Sequence, residues 1–152
     1  NLTEEDFVDW GNADNYVKAV GVGECAGVVI DLVATLLLEA KDKLTYAQES
    51  FAEGKWSDAV YHAYAGFVNG AKAILLSEDQ KTNHHAGIIN LFDTVFVDTN
   101  KIVLNSSFAD LVYQINQNQP TEEFAKKYIQ EATDFFVNIE NYRIKDLANE
   151  IS

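Results

Sequence analysis

The chain has 152 residues, 47% of them apolar and 12% aromatic, and carries a net charge of -13. That length suits one domain able to bury roughly two-thirds of its unfolded surface, and that composition excludes a disordered chain. The charge argues against a phosphate-backbone binder, which needs a basic face to displace counterions. A single cysteine excludes an intrachain disulfide or a zinc ribbon.

One proline and eight glycines leave little punctuation, which favours long helices over a many-turned β fold. The lone Cys25 fits a reducing, cytoplasmic setting. No methionine occurs, so the sequence reads as a segment cut or processed from a longer chain. Its start, NLTEEDF, is acidic and lacks the apolar run of a signal peptide. The longest apolar run, Cys25 to Leu38, spans 14 positions and includes Asp31 and Thr35. A membrane span needs about 20 apolar residues, so neither membrane nor nucleic acid is an expected partner.

Residues 1–23 read as an acidic leader and junction, in which Phe7, Trp10 and Tyr16 alternate with carboxylates. Residues 24–152 read as a single helical bundle. The first helix is expected from about Glu24 to Glu53, with Ala26, Val29, Val33, Leu36, Ala40, Leu44, Ala47 and Phe51 on its core face. Val28, Leu32 and Leu38 widen that apolar surface beyond one stripe, which a partner could cover. They are the candidate homodimer interface.

Gly54 is placed as the glycine that ends this helix, and a short connection makes the next helix its antiparallel neighbour. That helix, Gly54 to Leu76, should be the centre of the bundle. Trp56, Ala59, Val60, Ala63, Tyr64, Phe67, Val68, Ala71, Ile74 and Leu75 recur at three- and four-residue steps. Gly66 and Gly70 weaken the helix intrinsically, so close packing should compensate. Ser57 or Lys55 is expected to open it.

Residues 77–83 read as a loop, with Thr82 or Asn83 capping a third helix that carries Ile88, Leu91, Phe92, Val95 and Phe96. A second loop, 98–106, has room for a few extended residues at Ile102–Leu104. Ser106 or Ser107 should open a fourth helix, which Asn116–Pro120 ends. Thr121 should cap a fifth, with Glu122 and Glu123 in its first turn, fraying after about Leu147. The fold class is all-α, an up-down bundle of four to five helices.

Candidate chemistry is sparse. Gly21-Val-Gly23-Glu-Cys-Ala26 matches G-x-G-x-x-A, but a dinucleotide site needs a strand before it and a βαβ setting. His84 and His85 are adjacent, so on a helix they point about 100° apart and cannot chelate one ion. No metal site is expected. Cys25 lies near a helix start, but Glu24 opposes thiolate formation. Tyr61, His62 and Lys72 lie off the central helix's apolar stripe and are the candidate small-ligand groove.

Three segments, GVGECAGVVIDLVATLLLEAKDKL, GKWSDAVYHAYAGFVNGAKAILL and INQNQPTEEFAKKYIQEATDFF, together resemble a known family. They are similar to the C-terminal HEPN-like helical domain of bacterial ferredoxin-type sulfite/nitrite reductases. That resemblance implies a four- to five-helix HEPN bundle, commonly dimeric, docked to the remainder of a parent reductase. It also implies sirohaem and a four-iron iron-sulfur cluster in the parent, not in this fragment.

HEPN ribonucleases share an Arg-x4–6-His motif. Here Arg143, the only arginine, has no histidine after it, while Lys81 precedes His85 with three residues between. Lysine lacks the planar fork of arginine, so no catalytic residue is carried over from the family. The leading expectation is a non-catalytic accessory module. The alternatives are a HEPN-type ribonuclease using His84 or His85 with Lys81, or a nucleotide-binding domain with a degenerate motif.

Overall fold

The computed structural model describes residues 22–151. Expectations for the leader, including its docked aromatics and Gly21, lie outside the described residues, as do the side chains of Glu24 and Cys25. The elements are α1 (Val22–Ala52), α2 (Trp56–Ser77), α3 (His85–Phe92), α4 (Phe108–Tyr113) and α5 (Glu122–Ile151). A π-helical turn, Asp93–Val97, continues α3, and a 3-10 turn, Gln114–Asn116, follows α4. No strand occurs among the described residues, so the chain is all-α.

Helix α1 ends at Gly54, whose φ of 75° needs a residue without Cβ. The chain then reverses into α2, so that Leu44 and Ala40 face Gly66 while Leu36 meets Ala73 and Leu76. The central position of α2 follows from its small residues. A Cβ on Gly66 would lie 2.8 Å from Leu44 Cδ2, and one on Gly70 would lie 2.8 Å from Ile139 Cδ1. Helix α1 therefore packs on one side of α2 and α5 on another.

Helix α5 runs beside α2 in the same direction. Phe67 meets Tyr128 and Phe135, Gly70 faces Ile139, and Glu78 accepts a hydrogen bond from the Tyr142 hydroxyl. The segment that carries α3 and α4 supplies the return. Between them, Phe67, Phe92, Phe108 and Phe135 form a continuous ring cluster with centroids 4.5–6.1 Å apart. Such pairs add about 0.5–1.5 kcal/mol beyond area burial.

Several boundaries differ from the sequence reading. Neither Thr82 nor Asn83 caps α3; His84 takes that position, without a side-chain cap bond. Of the two residues expected to open α2, Lys55 is the N-cap residue, as expected, though without a side-chain cap bond, and Ser57 lies inside the helix. Ile102–Leu104 is not a strand; Ile102 is anchored by burial and by its N–H donating to Phe96 O. Helix α5 continues past Leu147 to Ile151 rather than fraying there. Ser107 and Thr121 act as expected, accepting from Asp110 N and Phe124 N respectively.

Candidate functional site

Chemistry gathers where α3 begins against α2. The polar stretch after Ser77 folds back along α2 and delivers His85, the first residue of α3, to the middle of that helix. There the Tyr64 hydroxyl lies 3.0 Å from His85 Nδ1, and the two rings stand 5.7 Å apart. Lys72 follows Tyr64 by two helical steps of four, so both lie on one face of α2. Lys72 is 3% exposed.

Electrostatics fix the charge states here. Burial pushes the His85 imidazole below its usual pKa of 6.5, and the Lys72 ammonium adds to that. Burial likewise raises the Tyr64 hydroxyl, with Tyr113 and Tyr61 contributing. At neutral pH the pair is a neutral imidazole and a neutral phenol. When His85 donates its Nδ1 proton to Tyr64 Oη, Nε2 keeps its lone pair and can take a proton from a substrate.

The residues expected to line one groove are not together. Tyr61 is 53% exposed, and His62 packs edge-on against it at 5.9 Å and against Tyr46 of α1 at 5.7 Å. Lys72 lies ten residues beyond His62, about 15 Å along the helix axis. Lys81 is exposed in the loop before α3, and His84 is exposed beside His85. Arg143 is buried in α5, 3.5 Å from Asp146.

A cavity of about 420 Å³ lies elsewhere, between the 103–106 loop, α4 and α5. Asp110, Glu131 and Asp134 are on its wall, but the carboxylates do not converge. Among the described residues no group of three or more His, Cys, Asp or Glu could hold a metal ion. One cysteine cannot supply the four thiolates of a four-iron cluster. These residues do not fit that group.

The G-x-G-x-x-A match lacks the βαβ continuation it needs, because Val22–Ala26 already belong to α1 and the next element is helix α2 rather than a strand. Of the candidate interface, Leu32 packs beside Val33, Leu36, Ala73 and Leu76, so it is used inside the chain. Val28 is half-buried, and Leu38 stands 59% exposed. No helix among the described residues is long and apolar enough to cross a membrane.

Sequence reasoning missed the pairing of Tyr64 with His85, because Tyr64 belonged to the apolar stripe. Its hydroxyl was the available signal: a tyrosine on a core stripe needs a polar partner.

The comparisons with known proteins agree with this helical architecture. The model of the HEPN domain family matches residues 33–145. A protein of Methanocaldococcus jannaschii named "Putative toxin MJ0605" is 31% identical over 126 residues, covering 78% of this chain and 90% of that protein. No solved structure matches. The family match spans α1 through most of α5, including Tyr64, Lys72 and His85: the chain belongs to the HEPN domain family.

Proposed function

We propose that this chain is a toxin-like HEPN module that cleaves RNA, with His85 as its general base. The observation that carries the reading is the half-buried Tyr64–His85 pair, 3.0 Å apart, beside the buried Lys72. His85 Nε2 removes the proton from a ribose 2′-hydroxyl. The resulting oxygen attacks the adjacent phosphorus, and the P–O5′ bond breaks with a proton delivered to the leaving oxygen from water. Tyr64 is a positioning residue that holds the imidazole tautomer. Burial, with the Lys72 charge adding to it, keeps the imidazole neutral, and Lys81, exposed in the loop before α3, offers charge to the phosphate. The toxin-named relative supports this reading.

Incubation of the pure chain with mixed RNA tests it. Replacing a general base costs about 10²–10⁴-fold in rate, so His85→Gln should lose cleavage by that factor while remaining folded. RNA left intact by the unaltered chain, or cut equally by the variant, removes the proposal.

A second reading is a non-catalytic docking or homodimerising module of a larger reductase-like chain in the cytoplasm. It is favoured by Leu38 and Ile30, which stand 59% and 40% exposed on α1. The sulfite/nitrite reductase parent rests on sequence resemblance alone. Light scattering decides the interface: a strict monomer, with Leu38→Asp equally soluble and stable, would sink it.

A further inference from the structure

We infer that Tyr46 and Tyr61, with the His62 ring between them, form a stacking surface for an unpaired RNA base beside His85. This inference rests on the RNA-cleavage reading and names how the substrate is held. The three rings belong to two helices, Tyr46 to α1 and the others to α2. Tyr46 and Tyr61 keep 45% and 53% of their surface in solvent. His62 is tilted against both, at 64° and 61°, and joins them into one aromatic surface.

Lys43 Nζ sits 5.9 Å from the Tyr46 ring centre and brings a cation to the rim. Tyr61 is the ring that ties this surface to the chemistry. Tyr61 precedes Tyr64 by three residues, about 4.5 Å along α2, and its phenol is close enough to raise that of Tyr64. Tyr64 in turn holds His85.

The overall charge strengthens the argument. A chain of net charge -13 gains little from the phosphate backbone. RNA held at His85 must draw its affinity from the bases, and base–aromatic stacking is the sequence-tolerant way to do so.

The test is a titration of a fluorescent single-stranded RNA octamer onto the His85→Gln chain, which leaves the RNA intact. In that background Tyr61→Ala and Tyr46→Ala should each weaken binding by about 5- to 140-fold, the value of one stacked base. Tyr61→Trp should restore it, and thermal melting should show all variants folded. Unchanged affinity in both alanine variants, or absence of binding to the His85→Gln chain, overturns the stacking surface. Cleavage by the unaltered chain is scored separately. If cleavage needs His85 but binding ignores the tyrosines, only the stacking surface falls. If binding needs the tyrosines but no cleavage occurs, only the cleavage reading falls.

Discussion

Burying His85 near the Lys72 ammonium disfavours the imidazolium from two directions, and each can be relieved separately. The ordinary value is 6.5, and burial is the larger cause of its lowering. If His85 is the base, the rate should rise with pH along a limb whose midpoint lies below 6.5. Lys72→Met should move that midpoint up toward 6.5, because it removes the like charge and leaves the burial. A pH–rate profile, or the His85 proton signal followed by NMR, checks this. An unmoved midpoint would detach Lys72 from the site. The stability consequence has a definite sign. As pH falls below 6.5 the unfolded chain binds this proton first, so the contribution of His85 is full above 6.5 and is lost on acidification, levelling off once the folded histidine is protonated. His85→Gln should flatten that part of the curve in urea melts at successive pH values.

At the scale of elements, the π-helical turn after α3 has a structural use. It aims Asp93 at the start of α4, where its Oδ1 accepts from Phe108 N at 2.6 Å and its Oδ2 from Ala109 N at 3.0 Å. With Ser107 accepting from Asp110 N, three amides of the first turn are satisfied by side chains. Helix α4, six residues long, is too short to be stable alone, so the clasp from Asp93 holds it in register with the aromatic core. Asp93→Ala should therefore cost about 2 kcal/mol in urea unfolding, with Asp93→Asn costing less because one acceptor remains. Equal stability of all three chains would show that the clasp contributes nothing. On α2, Gly66→Ala gains about 1 kcal/mol of helix propensity. It also drives a Cβ to 2.8 Å from Leu44 Cδ2 and 3.1 Å from Leu44 Cγ. Overpacking of this kind costs about 1–3 kcal/mol, and the branched Leu44 carbon cannot swing aside as a chain end can. A lower thermal midpoint is the expected result, and a higher one would mean that the propensity gain wins.

These elements differ in how visible they were in the sequence, for physical reasons. The α2 stripe repeats with the period of a helix, and Ala59, Val60, Ala63, Phe67, Val68, Ala71, Ile74 and Leu75 are all buried as that period implies. Ser107 and Thr121 announce their helices because capping is a local bond across three residues. The π-helical turn carries no such signal, since the partner its Asp93 serves is an amide fifteen residues away. The site was half legible for the same reason. His85 and Lys72 could be picked out as chemically able residues. The meeting of His85 with Tyr64 depends on the path of the 78–84 segment, which periodicity does not describe.

The whole molecule sets a limit that no single residue reveals. Its charge of -13 repels a polyanion at long range, while the inferred RNA path has few cations able to meet a phosphate: Lys43 at the stacking surface and Lys81, exposed in the loop before α3, since Lys72 is only 3% exposed. For a single strand each neutralised phosphate contributes a slope of about -0.7 to log K against log salt. Two contacts therefore allow a slope no steeper than about -1.4, and screening of the acidic remainder should flatten it further. Anisotropy titrations of the His85→Gln chain with short RNA, between about 50 and 200 mM salt, measure the slope over the range in which phosphate-led binders lose most of their affinity. A shallow slope together with dependence on Tyr61 would mean that stacking holds the substrate. A slope steeper than about -4 would require more phosphate contacts than these two lysines can make, and the RNA would then have to lie across a different face of the bundle.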